Sequence, residues 1–301
     1  MRSGRSVLIG EVCLIGTGLF EGLYPVVISA GAAVLPPLTF LALSIAVAVV
    51  CTTIALLLRR KKIFPLPRQA VLLGAGVAFF ILLGFLIVLN VAPHTSSVTI
   101  ALLLRAELLG AFFISVAFLG ERPTPLQVSG ALLIFLGTLL VVFREGVTFH
   151  AADILIIAAA LLFPFGNICA KRALALVAPE VLLLLRYVIG LLVLVPLAIL
   201  FEHPFATLSH LSLSEGFLIL AYGLPILTLS KIFWYVGLRV VPLGRATLLG
   251  DTAPGFTMLF AFLFLHETSG IVQWAGLILL CTGVYALMKR PSVSAQLGDL
   301  V

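Results

Sequence analysis

Charged side chains are too scarce in this chain to clothe a folded globule in water. Asp, Glu, Lys and Arg make up 10% of its 301 residues, against about 25% in soluble domains. Apolar residues account for 62%, and the mean hydropathy is +1.28. A bilayer removes the difficulty, because there the outer face of a protein is itself apolar. The expected class is an all-α integral membrane protein.

Crossing the hydrocarbon core takes about 20 helical residues. That length, with breaks at charged or Pro/Gly-rich points, divides the chain into ten transmembrane helices. The first five segments fall at 7–28, 35–58, 70–90, 95–119 and 125–143; the second five fall at 152–171, 179–201, 215–236, 244–265 and 270–288. The N-terminal run Met1-Arg2-Ser3-Gly4-Arg5-Ser6 has the charge of a signal peptide. Glu11 and Glu21 interrupt the apolar stretch behind it, which continues to about Ala30. A first spanning helix is therefore expected, rather than a cleaved leader.

Basic residues orient these segments. With the N-terminus inside, 14 of the 18 Lys and Arg fall in cytoplasmic stretches, among them Arg59, Arg60, Lys61, Lys62, Lys171 and Arg172. Arg144 alone falls outside, and Arg105, Arg186 and Lys231 lie within segments. The asymmetry follows the positive-inside rule and places both termini in the cytoplasm of an inner-membrane protein.

An internal repeat accompanies the count. A shift of 146 residues lays segments 4–5 on segments 9–10: Glu121 meets Glu267, Gln127 meets Gln273, Gly130 meets Gly276, Gly137 meets Gly283 and Arg144 meets Arg290. Leu and Phe matches are cheap in this composition, whereas these are not. Pro37 before segment 2 parallels Pro179 before segment 7, a register that sets Ser44 opposite Arg186. Five segments per half is an odd number, so the second half enters the membrane upside down, as in many secondary transporters. The expected division is 1–145 for the first repeat, 146–290 for the second and 291–301 for a cytoplasmic tail.

The run Leu119-Gly120-Glu121-Arg122-Pro123-Thr124, followed by Gln127, Gly130 and Gly137, resembles the EamA domain of the drug/metabolite transporter superfamily. Its counterpart is Leu265-His266-Glu267, then Gln273, Gly276 and Gly283. Ala253-Pro254 matches the family's mid-helix proline, while Glu107-Leu108 holds the equivalent place without one. Arg186 falls where the family often has an Arg. Two departures stand out: Glu21-Gly22 replaces an aromatic-Gly pair, and Ser44 stands in place of an Arg. The resemblance covers about the whole chain and implies ten helices and transport of a small metabolite, often export of amino acids or related compounds.

No enzyme signature is present: there is no H-E-x-x-H, no G-x-S-x-G and no phosphate-cradling Gly loop before a Lys. Cys13, Cys51, Cys169 and Cys281 each lie in an apolar run without metal-ligand spacing and read as small packing residues. The five histidines adjoin outer loops, so no metal or cofactor is expected.

Ionisable groups at membrane depth are the informative ones, since burying them is expensive unless they face an interior cavity. Glu107 and Arg105 lie in segment 4, two residues apart and so on different faces. Glu21 lies near Tyr24 in segment 1, and Asp251 three residues before Pro254. The candidate substrate contacts are Glu21, Tyr24, Arg105, Glu107, Asn167, Tyr222 and Asp251. Glu21, Glu107 and Asp251 are candidate proton carriers, because an apolar setting favours the protonated carboxyl. Pro164, Pro225 and Pro254 are expected to interrupt helices near their middles. Arg186 and Lys231 are read as helix-pairing charges or as snorkelling to the cytosolic interface, Trp234 and Tyr235 as an interfacial anchor, and Glu121 and Glu267 as turn residues. The expected function is a secondary transporter, an exporter working by alternating access; a passive channel or lipid flippase and, less favoured, a membrane-embedded enzyme subunit are the alternatives. Expected partners are a small-molecule substrate, the lipid bilayer and coupling protons, with no nucleic acid, for a monomer or homodimer.

Overall fold

A computed structural model describes residues 4–59, 66–119, 124–142, 150–241, 246, 250, 253–266, 268 and 270–288. Among these residues every regular element is helical. The first half holds α1 (Gly4–Val34), α2 (Pro37–Leu58), α3 (Arg68–Val91), α4 (Ser97–Leu103), α5 (Ala106–Leu119) and α6 (Pro125–Val142). The second holds α7 (Ala151–Ala173), α8 (Pro179–Phe201), the short α9 (Pro204–Ser209) and α10 (Leu213–Ala221). A wide π-helical stretch, Tyr222–Ser230, joins α10 to α11 (Lys231–Val240). Next comes α12 (Ala253–Phe260), which runs into a second π stretch at Ala261–Leu265, and last α13 (Ile271–Met288). Glu121, Arg144, Asp251, Glu267 and Arg290 lie outside the described residues.

Among the described residues six helices are long and apolar enough to cross a membrane, one of them being Leu213–Val240 taken through its π stretch. Their outer faces carry exposed Leu192, Leu200, Phe217 and Leu220, side chains that a hydrocarbon solvent accepts and water does not. The chain is a multi-pass membrane protein.

Local chemistry sets several helix starts. Pro37 and Pro179 each occupy the first helical position of α2 and α8, where a missing N–H is harmless and a fixed φ helps. The aligned prolines of the two halves thus do the same job. Ser96 caps α4 by accepting from the Thr99 N–H at 3.2 Å. Ser212 and Glu215 form a reciprocal capping box at the start of α10, satisfying two otherwise orphaned donors.

Two expected single helices are interrupted instead. The segment expected at 95–119 turns at Leu104–Arg105, where the Glu107 and Leu108 amides bond three residues back, at 3.1 and 3.0 Å. The segment expected at 215–236 widens into π turns around Pro225, whose missing N–H already breaks the α ladder. Of the other two prolines expected to interrupt a helix, Pro164 does not: α7 runs through it. Pro254 follows Asp251 and Thr252, which are not among the described residues, so the interruption expected there lies outside what the structure describes.

Packing crosses between the halves in a regular way. α3 lies on α7, and α1 on α11; α5 lies on α7, and α1 on α12; α2 packs on α8, and α6 on α13. Exchanging each first-half segment for its counterpart in the second turns this set of pairs into itself, as a two-fold repeat requires. α2 and α8 are tied at both ends. Glu202, just past α8, accepts from the Leu38 and Thr39 amides at 2.9 and 2.7 Å, so its charge caps the positive end of α2. At the opposite end Arg59 donates to the buried Glu180 at 2.7 Å.

The repeated glycines explain the closest of these contacts. A Cβ on Gly137 would stand 3.2 Å from the Gly276 carbonyl oxygen, and one on Gly283 would stand 2.7 Å from that of Gly130. The four glycines that align in sequence are therefore the crossing of α6 and α13, where small residues let two backbones touch. Gly283→Ala is expected to lower the melting temperature of the detergent-solubilised protein, through overpacking of about 1–3 kcal/mol. Gly255→Ala, with open space around the added carbon, is expected to leave it unchanged or raise it. Equal melting of the two variants would remove the crossing from the account.

Candidate functional site

Where the interrupted helices meet the unbroken ones, a cavity of about 110 Å³ opens inside the bundle. α1 contributes Thr17, Glu21 and Tyr24, spaced i, i+4, i+7 and hence on one stripe of the helix. The turn between α4 and α5 contributes Leu104, Arg105 and Glu107. α3 and α7 add Ile81, Phe85, Phe163 and Asn167; α8 and α11 add Arg186, Lys231, Trp234 and Tyr235. Both halves of the chain therefore build the wall.

Each of the two described carboxylates of the wall links the halves. Glu21 accepts from the Ser230 hydroxyl at 2.6 Å and pairs with the Lys231 ammonium through the same oxygen. Both members of the pair are largely withdrawn from solvent, at 21% and 16% side-chain exposure. Ser230 ends the π stretch and Lys231 begins α11, so the wide turn delivers both donors to one carboxylate. The second link runs from the Asn167 amide to Glu107 at 2.8 Å, joining α7 to α5.

Aromatic rings divide the charges. Phe85 sits 5.6 Å from the Tyr24 ring. Two cations approach the same Phe85 ring, the Arg186 guanidinium at 5.7 Å and the Lys231 ammonium at 6.0 Å, a range in which the ring quadrupole attracts positive charge. Arg186 also lies 5.1 Å from the Tyr187 ring and donates to the Tyr235 hydroxyl at 3.2 Å.

Of the seven residues singled out from the sequence, Glu21, Tyr24, Arg105, Glu107 and Asn167 line this cavity. Tyr222 does not: fully buried, it stacks against Tyr24 at 6.0 Å and Phe40 at 5.4 Å, one layer behind the wall. Asp251 is not among the described residues. Trp234 and Tyr235 are no interfacial anchor; both line the cavity, and Tyr235 is only 1% exposed. Nor do Arg186 and Lys231 snorkel to the cytosol, since the first is buried against aromatic rings and the second is held by Glu21. Sequence reasoning passed over Thr17, Phe85 and Ser230. Phe85 is one of 22 phenylalanines, with no local signal to mark it, whereas Thr17 was legible as the residue one turn before Glu21.

Interrupted helices around a cavity lined by both polar and apolar groups are an arrangement common in secondary transporters. The chain belongs to the EamA-like transporter family, whose model matches it twice, over residues 8–143 and 150–289. Among solved structures 27 chains match. One, described only as "Crystal structure of protein", superposes with a TM-score of 0.71 over 94% of this chain and 96% of its own. At 18% identity that likeness shows the fold alone. No curated protein matches.

If Glu21 and Lys231 are a coupled pair, removing either alone leaves a charge stranded in the bundle. Glu21→Gln and Lys231→Met are each expected to lower stability by about 1–3 kcal/mol. The double variant is expected to recover part of the loss, measured as melting temperature across the cycle. Strictly additive losses would show that the two charges do not sense each other.

Proposed function

We propose that this protein is a secondary transporter that exports a small polar or amphipathic metabolite, an amino acid or a related compound, by alternating access. Ten helices, as two five-helix repeats (1–145 and 146–290) of opposite orientation, cross the inner membrane with both termini in the cytoplasm. The observation that carries this reading is the cavity itself, whose polar groups come from both halves and sit deep among apolar helices. A site on the seam between halves changes its exposure when one half rocks against the other. The outward direction rests on the family likeness, and the cytoplasmic placement of the termini on the basic residues.

Export further needs a driving force. Two carboxylates reach the cavity among the described residues, Glu21 and Glu107. Glu21 is committed to an ammonium, whereas Glu107 receives a neutral amide from Asn167. Protonating Glu21 would break its pairing with Lys231, so Glu107, which also lines the cavity, is the proton carrier of this reading. In everted membrane vesicles loaded by an imposed pH gradient, Glu107→Gln is expected to abolish gradient-driven uptake. Solute exchange without a gradient is expected to survive in the same variant. Unchanged gradient-driven uptake would overturn the proton-carrying role of Glu107, and flux that fails to saturate with substrate would replace the transporter by a channel.

A further inference from the structure

We propose that Arg186 and Tyr24 form the anchoring subsite for a carboxylate, so that the transported substrate is a small amphipathic carboxylate with its charged end on the guanidinium. The proposal rests on the reading of the central cavity as the transport site and names the substrate chemistry that this site selects.

Arg186 is 5% exposed, and its guanidinium carries five N–H donors. One of them reaches the Tyr235 hydroxyl, and the faces of the group rest on Phe85 and Tyr187. Among the described residues no carboxylate lies within ion-pair distance of it. Lys231, the neighbouring cation over the same Phe85 ring, does have one, in Glu21. A buried cation without a counter-ion is costly in so apolar a setting. An anion that enters the cavity removes that cost.

A second, independent group points the same way. The Tyr24 hydroxyl is buried without a hydrogen-bond partner, in a residue only 4% exposed that lines the cavity. The Tyr24 ring and the Arg186 guanidinium both lie against the Phe85 ring, at 5.6 and 5.7 Å, so both residues share one aromatic platform. A planar guanidinium fork joined by a phenolic O–H suits the two oxygens and single charge of a carboxylate. Beyond the donors the wall turns apolar, with Ile81, Ala101, Leu104 and Phe163. This is the polar-end, apolar-body division that amphipathic ligands require. Both described carboxylates of the wall are already engaged, by Lys231 and by Asn167, which disfavours a cationic ligand.

Trp234 supplies the readout. It lines the cavity, while Trp274, the second of the chain's two tryptophans, is half exposed on the outer face of α13. In a Trp274→Phe background, detergent-purified protein is titrated with straight and branched carboxylates, with and without an α-amino group, and with the matching amides. Saturable change in Trp234 emission is expected with carboxylates and not with amides, and the amino and non-amino arms separate amino acids from simple organic acids. Arg186→Gln is expected to weaken carboxylate binding by about tenfold or more, and Arg186→Lys by less. Tyr24→Phe, which keeps every ring contact, is expected to weaken it by a few-fold, with unchanged melting temperature. Amides that bind as tightly as carboxylates, no response to any carboxylate, or undiminished binding by a folded Arg186→Gln protein would each overturn the proposal. Tight carboxylate binding without transport in vesicles would instead sink the transporter reading and leave the subsite standing.

Discussion

A backbone that leaves the α-helical ladder inside a membrane has no water to turn to, so every carbonyl it frees must find a donor within the protein. The π stretch Tyr222–Ser230 meets that demand with side chains. Thr228 donates to the Gly223 carbonyl at 2.8 Å, and the Tyr187 hydroxyl donates to that of Leu227. Thr17 reaches the Ser230 carbonyl at 3.4 Å. These donors come from the stretch itself, from α8 and from α1, so the irregular segment is held from three sides. The site depends on it, because the wide turn is what presents Ser230 and Lys231 to Glu21.

The same logic separates scaffold from site. α2 and α8 are unbroken and tied at both ends, by Glu202 on the α2 amides and by Arg59 on Glu180. α6 and α13 are locked at the glycine crossing. Most polar groups of the cavity wall sit instead on the broken segments and on α1 and α7, with Arg186 of α8 the exception from the frame. Breaks free carbonyls and shift side chains off the α-helical spacing, which lets residues such as Arg105 and Glu107 share a wall that a straight helix would have denied them. Site and irregularity therefore occur together for a physical reason, and the unbroken pairs provide the frame against which the broken ones are positioned.

Much of the frame was legible in the sequence, and less of the site. Scarce charge implied the membrane, and the aligned Gly130, Gly137, Gly276 and Gly283 marked the repeat, while only the fold shows that they touch backbone to backbone. Pro225 announced its interruption through its missing donor, although Pro164, which lacks one too, leaves α7 unbroken. The turn at Leu104–Arg105 had no such herald: no proline lies there, and the break follows from tertiary packing that no local pattern records. Trp234 and Tyr235 misled for the opposite reason. Aromatic residues near a basic one usually mark an interface, yet here the neighbouring Lys231 is turned inward by Glu21, a partner more than 200 residues away in sequence. Tyr222 was a fair guess by depth, but depth alone does not say which layer of rings meets the cavity.

The two-fold repeat is uneven at Arg186, a cavity cation with no carboxylate within ion-pair distance among the described residues. Position 44 is the counterpart of position 186, and the first half carries serine there. Ser44 is completely buried, and its backbone carbonyl lies 2.7 Å from where a Gly223 Cβ would be; the helix there is packed shut against the π stretch. An arginine at that fully buried position would put its charge within the same apolar bundle as Arg186. The first half gives up the charge and closes tightly on the irregular segment, while the second keeps it and opens onto the cavity. Erosion of symmetry at this one pair thus turns a structural repeat into a site with a direction, having a charged end on Arg186 and an apolar end across from it.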